Sequence, residues 1–371
     1  MRSQRNPEAV TTVPPDDVLL SVDGLNVDYP VGRSGFWGGS RTYAHAVSDV
    51  SFQIRRGETL GLVGETGSGK STTGRAILGK APITAGRIIF RGQDITHLSA
   101  RDRRASRRHM QLVFQDPYAS LNPRMKVYDI IAEPLLVHGL IRHPREAKAQ
   151  ISELLELVGL PGDAAQRHPH AFSGGQRQRI GIARALALRP ELIIADEPVS
   201  ALDVSIQAQV VNLLQDLQEQ LQLSYLFIAH DLSVVRHISH RIGIMYAGKL
   251  VEVADRTTLY EQPRHPYTQA LLSAIPIPDP PAQRKRQRIV ISGEMPNPTS
   301  PPSGCRFHTR CPVAEPRCSQ LEPVSVAFST THWAACHLAQ GRLDAADIEP
   351  PELDLPADAE GAPGVVGSPT R

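Results

Sequence analysis

The residues best suited to chemistry in this chain form the octapeptide GETGSGKS, from Gly64 to Ser71. Its glycines allow backbone N–H groups to wrap a phosphate chain, and the helix expected after it points its positive end at the anion. In this spacing Lys70 reaches the outer phosphates and the Ser71 hydroxyl binds Mg²⁺. The alternative is a chance match in a glycine-rich turn. The predicted phosphate-binding residues are Gly64, Glu65, Thr66, Gly67, Ser68, Gly69, Lys70, Ser71 and Thr72.

Two carboxylates follow an apolar run in the segment LIIADEP, from Leu192 to Pro198. A strand buried on both faces would end at Asp196 and Glu197. In nucleotide hydrolases with a phosphate loop, the strand-end aspartate holds Mg²⁺, and the next carboxylate can polarise the attacking water. The alternative is a plain Asp-Glu-Pro turn at a sheet edge. The phosphate loop favours the catalytic interpretation.

A second helix with an anion-binding N-terminus is predicted in FSGGQRQRIGIARAL, which begins at Phe172. One domain rarely needs two such helix ends for one phosphate chain. The second therefore predicts contact with a nucleotide held by a neighbouring copy. Ordinary capping of the helix by Ser173 is the alternative.

The elements that must position these groups alternate between short apolar strands and amphipathic helices. This pattern predicts parallel βαβ units and an α/β sheet covered on both faces. A Pro-rich, basic stretch after Ala274 indicates a boundary near residue 270. The predicted parts are a disordered tail (1–17), an ATPase domain (18–270) with a helical subdomain (116–185), a small C-terminal domain (271–340) and a second disordered tail (341–371).

Composition narrows the class of protein. The 371 residues are 41% hydrophobic and 21% charged, which is typical of a globular chain with a proper core. A formal net charge of +2 gives no electrostatic reason to expect a nucleic-acid partner. No apolar run approaches the roughly 20 residues of a membrane-spanning helix, and the N-terminus lacks the apolar stretch of a secretory signal. We therefore expect a cytosolic chain whose membrane link comes through a partner.

With these motifs in order, residues 18–340 resemble an ATPase subunit of an ABC transporter. The resemblance implies a RecA-like core with an antiparallel β portion, and catalysis by Lys70, Glu197 and His230. It implies that Gln115, in VFQDP, contacts Mg²⁺, and that Tyr29 ends the first strand and stacks on adenine. Tyr43 is the fallback, because an insert of roughly a dozen residues with Trp37 separates the first two strands. It also implies a signature that closes over ATP of the opposite subunit and comprises Ser173, Gly174, Gly175 and Gln176. The implied D-loop comprises Ser200, Ala201, Leu202 and Asp203.

Three stretches resemble one branch of this family, the dipeptide and oligopeptide importers. They are FQDPYASLNPRM from Phe114, HPYTQALLSAIP from His265, and GCRFHTRCP from Gly304. The first resembles the F-type ATPase of such importers. Related nickel and glutathione importers share these features and remain alternatives. A soluble ABC ATPase acting on nucleic acid or ribosomes is the rival from another class.

The four cysteines have the spacing C-x5-C-x6-C-x17-C, with no close C-x2-C pair. Four thiolates can bind one Zn²⁺ or a [4Fe–4S] cluster, and four free thiols are the remaining alternative. The resemblance to peptide-importer ATPases implies a [4Fe–4S] cluster, structural or redox-sensing, with zinc as the lesser possibility. Neighbouring histidines are expected to be solvated or to lie behind the ligands. The implied ligands are Cys305, Cys311, Cys318 and Cys336.

The resemblance also implies partners and a location. It implies a head-to-tail pair of ATPases with two ATP molecules between them, the second subunit being a paralogue rather than an identical copy. It further implies two transmembrane permease subunits, an extracytoplasmic substrate-binding protein, and no nucleic acid. The chain would sit at the cytoplasmic face of the cell membrane.

Overall fold

A computed structural model describes residues 17–33, 41–276 and 288–339 of the chain. The strands are β1 (Val18–Arg33), β2 (Arg41–Arg55), β3 (Thr59–Val63), β4 (Ile83–Phe90), β5 (Gln93–Asp94), β6 (Met110–Val113), β7 (Leu192–Asp196), β8 (Ser224–Ala229), β9 (Arg241–Tyr246), β10 (Lys249–Asp255), β11 (Ser325–Ala327) and β12 (Trp333–Ala335). The α helices are α1 (Lys70–Ile77), α2 (Ala100–Arg107), α3 (Pro117–Ser120), α4 (Val127–Val137), α5 (Lys148–Leu157), α6 (Gly174–Leu186), α7 (Val204–Leu221), α8 (Leu232–Ile238), α9 (Arg256–Glu261), α10 (Pro266–Ser273) and α11 (Pro316–Gln320).

The first sheet is antiparallel and has the order β2-β1-β4-β5. Alternating apolar residues of β1, such as Leu20 and Val22, are fully buried, as expected for strands with one face on a core. The β1–β2 pairing continues out to Arg33 opposite Arg41. The expectation that the first strand ends at Tyr29 is therefore wrong. The described ends of the predicted insert, up to Arg33 and from Arg41, belong to β1 and β2, while Trp37 and both predicted disordered tails, except for Asp17, lie outside the described residues.

The second sheet has the order β11-β12-β10-β9-β3-β8-β7-β6 and confirms the predicted α/β fold class. Five strands, from β9 to β6, are parallel, and β10, β12 and β11 extend the sheet in antiparallel fashion. The central strands β3, β7 and β8 are buried at every position. Such unbroken apolar runs form strands covered by helices on both faces.

Strand order arranges the chemistry along one edge of this sheet. The phosphate loop follows β3, His230 follows β8, the carboxylate pair lies at the end of β7, and Gln115 follows β6. In space these strands are consecutive, in the order β3-β8-β7-β6. Parallel strands end at a common edge, so groups far apart in sequence become neighbours there.

Helices fill the chain between β6 and β7. This stretch contains α3 to α6 and three short 3₁₀ turns, Pro144–Ala147, Gly162–Gln166 and Pro169–Ala171. Apolar faces of α4, α5 and α6 bury Ile131, Leu155 and Ile180 in the same core cluster as one face of the large sheet. The helical part is thus packed directly on the sheet that carries the site.

The C-terminal residues join the large sheet. In β10, Glu252 pairs with Ala334 of β12, and Val253 pairs with Trp333. Phe307 is buried, and its ring lies 5.0 Å from Tyr246 in β9, edge to face. The described part of residues 271–340 therefore packs on the ATPase core through both a strand pair and an aromatic contact. Its separation as a domain stays a prediction.

Candidate functional site

Backbone geometry makes glycine necessary in the loop between β3 and α1. Gly67 and Gly69 have φ of 84° and 102°, a region that side chains disfavour. A Cβ on Gly64 would lie 2.0 Å from the carbonyl oxygen of Met245, and one on Gly69 would lie 2.3 Å from that of Ala46. The loop is thus pressed between β9 and β2, with its backbone free to face an anion.

Lys70 begins α1 and points its ammonium group back into the loop. Its Nζ donates to the carbonyl oxygens of Gly64 at 2.6 Å and Glu65 at 2.9 Å, and to Ser68 Oγ at 3.4 Å. Burial lowers the pKa of Lys70, against the opposing influence of Glu197 and other carboxylates. A cation held among the carbonyl and hydroxyl oxygens of this loop can neutralise bound phosphate.

Ser71 and Asp196 form the oxygen pair expected for Mg²⁺. The Ser71 hydroxyl donates to Asp196 Oδ1 at 2.7 Å. Burial raises the pKa of Asp196, while the Ser71 hydrogen bond opposes that rise. A hydroxyl and a carboxylate side by side are hard oxygen donors of the kind that Mg²⁺ takes together with phosphate oxygens. These residues therefore fit the ion.

Glu197, Gln115 and His230 meet at the ends of three consecutive strands. Gln115 Nε2 donates to Glu197 Oε2 at 2.8 Å, and His230 Nδ1 lies 3.3 Å from the same oxygen. The Gln115 amide is thus directed at Glu197 and not at the Ser71–Asp196 pair. Glu197 has φ of 48°, an unfavourable value for a residue with a side chain. Such strain is concentrated at active sites, where the surrounding fold maintains it.

The signature residues cap α6. Ser173 Oγ accepts from the Gln176 N–H, and the Gln176 side chain accepts from the Ser173 N–H. This capping box is the ordinary helix capping given above as the alternative to contact with a nucleotide. It also orients the helix end. A Cβ on Gly175 would lie 2.4 Å from Cγ2 of Ile206 in α7. The signature thus packs against the helix that follows the D-loop.

The D-loop connects Glu197 to α7. The Ser200 hydroxyl donates to the carbonyl oxygen of Glu197 at 3.1 Å, and Leu202 lies 3.3 Å from the position of a Cβ on Gly174. Asp203 precedes α7 as its N-cap residue. The carboxylate, the D-loop and the signature are therefore linked by contacts within one chain.

The two candidate adenine-stacking residues are neighbours on the β1–β2 hairpin. Tyr29 pairs with Ala44 and is half-buried against the core of the first sheet. Tyr43, opposite Pro30, is 37% exposed. The carbonyl of Ala46, which closes on Gly69, lies three residues after Tyr43. Both rings therefore lie on the hairpin that borders the phosphate loop.

The four cysteines line one cavity. It has a volume of about 10 Å³ and is also lined by Phe307 and His308. Burial raises the pKa of Cys305 to about 11. Within the described residues, no group of three or more His, Cys, Asp or Glu side chains is placed to hold a metal ion. The soft donor set suits a [4Fe–4S] cluster, but the cavity has room for about one water molecule, so the thiols would have to turn outward.

The histidines near the cysteines have other partners. His308 Nδ1 lies 2.8 Å from the carbonyl oxygen of Cys305, and His337 Nε2 lies 2.9 Å from that of Leu321. His332 pairs with the buried carboxylate of Glu252 at 2.9 Å.

Sequence reasoning missed two residues of the site, Tyr267 and Arg310. The Tyr267 hydroxyl accepts from the N–H of Glu65 in the phosphate loop at 3.0 Å, and Arg310 forms an ion pair with the Glu65 side chain at 2.9 Å. Both lie in stretches that were singled out only for resemblance to peptide importers. Their aromatic and cationic character gave no sign of a contact so distant in sequence.

Comparison with known proteins agrees with this geometry. The ABC transporter family model matches residues 47–200, and the model described as "Oligopeptide/dipeptide transporter, C-terminal region" matches residues 251–318. The oligopeptide transport ATP-binding protein AppF of Bacillus subtilis is 54% identical over 87% of this chain and 98% of its own. The protein OppF of Salmonella typhimurium, which carries the same description, is 50% identical over 86% and 96%.

Among solved structures, the dimeric post-hydrolysis state of the ATP-binding cassette MJ0796, bound to ADP and Pi, is 27% identical. It covers 64% of this chain and 98% of its own, with a TM-score of 0.55. In the described residues, no helix is long and apolar enough to cross a membrane. The chain belongs to the ATP-binding subunits of ABC transporters, in the branch with the oligopeptide/dipeptide transporter C-terminal region.

Proposed function

We propose that this chain hydrolyses MgATP to drive the import of oligopeptides through a membrane permease. The observation that carries the proposal is the meeting of Gln115, Glu197 and His230 beside the Ser71–Asp196 pair. Phosphoryl transfer to water requires a base, a metal-binding pair and a contact with the γ-phosphate, and candidates for all three lie at one sheet edge.

Each side chain has a distinct role in the proposed reaction. Lys70 neutralises charge on the outer phosphates, and Ser71 and Asp196 hold Mg²⁺, which supplies further neutralisation when bound. Glu197 accepts a hydrogen bond from the attacking water and polarises it. His230 holds the γ-phosphate in place. Gln115, hydrogen-bonded to Glu197, ties the state of this carboxylate to the helical part of the chain. To contact Mg²⁺ as well, its amide would have to turn from Glu197 toward the Ser71–Asp196 pair when the ion is bound.

The replacement Glu197→Gln tests the assignment of the base. We expect it to lower the hydrolysis rate by about 10²-fold or more while ATP remains bound, because the amide cannot take up a proton. Glu153→Gln, an exposed residue of α5, is the matched control and should hydrolyse ATP normally. A Glu197→Gln chain that hydrolyses ATP at nearly the natural rate would show that another group is the base.

The proposed site is completed by a second subunit. Support comes from the dimeric form of the related cassette and from the presence of a second helix N-terminus, whose Gly174 and Gly175 lie against Leu202 and Ile206. We propose that Ser173–Gln176 closes over ATP of a partner ATPase, with Ser200–Asp203 at the interface. ATP binding closes the pair, and hydrolysis with product release reopens it. Light scattering can test this with the Glu197→Gln chain, measured alone and with a co-expressed paralogue. Addition of ATP should produce a dimer, either of two identical chains or of the chain with the paralogue.

The cargo and the other partners follow from the relatives. Proteins named for oligopeptide transport are 50–54% identical to this chain. We propose two permease subunits and an extracytoplasmic binding protein as partners, and the cytoplasmic face of the membrane as the location. Purification of the intact complex should recover integral membrane proteins. The purified complex, placed in vesicles, should transport oligopeptides. Transport of nickel or glutathione instead, or recovery with nucleic acid, would favour the alternatives.

The adenine contact is proposed for Tyr29, with Tyr43 as the alternative. An aromatic ring stacked on a base contributes about 1–3 kcal/mol. Replacing the stacking tyrosine by leucine should therefore weaken binding of ATP about 5- to 150-fold and leave binding of inorganic triphosphate unchanged. The variant of the other tyrosine serves as the control.

We also propose that the four cysteines bind a [4Fe–4S] cluster. Support comes from a donor set made only of thiols, brought together at one small cavity that would have to widen to hold a cluster. Anaerobically purified protein should contain about four irons and four sulfides per chain and absorb visible light. Cys318→Ser should lose most of that iron. Protein without iron, or with one zinc per chain, would contradict the cluster.

A further inference from the structure

The segment from Cys305 to Cys311 packs against the nucleotide site of its own chain. Arg306 donates to the carbonyl oxygen of Ala247, in the turn between β9 and β10. Phe307 is buried against the ring of Tyr246. These contacts hold the segment against the end of β9, the strand that also touches the phosphate loop at Gly64.

Arg310 carries the direct contact with that loop. Its guanidinium donates to Glu65 Oε2 at 2.9 Å and to the Tyr246 hydroxyl at 3.3 Å. The Arg310 side chain is only 8% exposed. Glu65 is also held at its backbone, because its N–H donates to the Tyr267 hydroxyl and its carbonyl oxygen accepts from Lys70. The second residue of the phosphate loop is therefore fixed at three points, two of them from the C-terminal part of the chain.

Glu65 poses an electrostatic problem for a loop that binds a polyanion. Its carboxylate follows Gly64 directly and lies within the segment that would wrap the phosphates. A free negative charge there would repel ATP. Because Arg310 is buried, its attraction for Glu65 is screened less than that of a surface ion pair, and a charge-assisted hydrogen bond adds to it.

We propose that Arg310 is a positioning residue of the ATP site, which neutralises Glu65 and holds its carboxylate to the Cys305–Cys311 segment. The C-terminal region then sets the affinity for MgATP through this one contact. The inference rests on the proposed ATP-binding function and adds to it a control of the phosphate loop by a distant part of the same chain.

The replacement Arg310→Gln in the full-length chain tests this role. We expect the KM for ATP to rise about 5- to 20-fold, because the freed Glu65 carboxylate repels the polyanion, while kcat changes less than about twofold. The rise should be larger at about 0.05 M than at about 0.5 M salt, because salt screens the freed Glu65 charge. Arg310→Lys should retain most of the affinity.

A second replacement identifies the charge as the cause. Glu65→Gln, added to Arg310→Gln, removes the unpaired carboxylate and should return the KM to within about threefold of the natural value. Arg317→Gln is the control, since this exposed arginine of the same region pairs only with Glu315 among the described acidic residues. It should leave the KM unchanged.

Several outcomes would overturn the inference. An unchanged KM in Arg310→Gln does so, and so does a rise that is independent of salt and not rescued by Glu65→Gln. If Arg310→Gln fails to fold, Glu65→Gln alone should bind ATP at least as tightly as the natural chain, and weaker binding refutes the idea. Failure of the natural chain to bind MgATP, or full binding by Lys70→Ala, would instead refute the proposed function itself.

Discussion

Replacement of Gly69 by alanine should damage the phosphate loop more than the same change at Gly67. Both residues have positive φ, which costs an alanine about 1–2 kcal/mol. At Gly69 the new Cβ would also lie 2.3 Å from the Ala46 carbonyl oxygen and 2.7 Å from Cε of Met245, whereas at Gly67 nothing lies within 4 Å. Forced overlap of this kind costs a further 1–3 kcal/mol or so. We therefore expect a total of about 2–5 kcal/mol for Gly69→Ala and about 1–2 kcal/mol for Gly67→Ala.

This cost is divided between folding and ATP binding, so both must be measured. Urea unfolding of the full-length chain gives the first part, and equilibrium binding of MgATP gives the second. Summed over both, Gly69→Ala should lose about 1–3 kcal/mol more than Gly67→Ala, a factor of about 5 to 150 in the combined equilibrium constants. Equal losses would refute the claim that the contact with β2, and not φ alone, requires glycine at this position.

The remaining predictions concern two helix glycines, the Asp196 carboxylate and a buried hydroxyl. Gly175→Ala should reduce ATPase activity because its Cβ would press on Ile206, whereas Gly181→Ala, in the same helix with open space around it, should stabilise the chain by about 0.5–1 kcal/mol in urea unfolding. Burial raises the pKa of Asp196, so its neutral form is favoured in the folded chain and its contribution to stability, present below pH of about 4, is lost as pH rises. Asp196→Asn should therefore raise the urea midpoint more at pH 7 than at pH 4, while abolishing hydrolysis of MgATP. Tyr225→Phe should raise the free energy of unfolding by about 1 kcal/mol, because the buried hydroxyl has no hydrogen-bond partner among the described residues; a loss of stability would show that a partner exists.

The sequence was sufficient to predict which site residues lie close together when those residues follow strands. Glu197 and His230 each follow a continuous apolar run, and such runs form parallel strands whose ends meet at one edge. Their neighbourhood could therefore be predicted before any coordinates. The hydrogen bond between Gln115 and Glu197 could not, because it depends on the path of the loop after β6.

The end of the first strand was harder to predict. Residues 30–33 contain Pro30 and Gly32, two residue types that usually interrupt a strand. The structure nevertheless continues β1 through them, because β2 supplies a partner strand out to Arg41. Tertiary pairing outweighed local propensity, as it commonly does in sheets. Tyr29 consequently lies within β1 and not at its end.

The phosphate loop shows why a local motif is an incomplete description of its own site. Its consensus residues, Gly64, Gly69, Lys70 and Ser71, are close in sequence, and they are the residues proposed to bind phosphate and Mg²⁺. Glu65 lies outside the consensus and carries a charge of the wrong sign for the ligand. Its partner is 245 residues away, so no local pattern could reveal the compensation. Lys70 lies in the same loop, but its ammonium group contacts the carbonyl oxygens of Gly64 and Glu65 and the hydroxyl of Ser68. The cation that pairs with the Glu65 carboxylate is Arg310, from the C-terminal region.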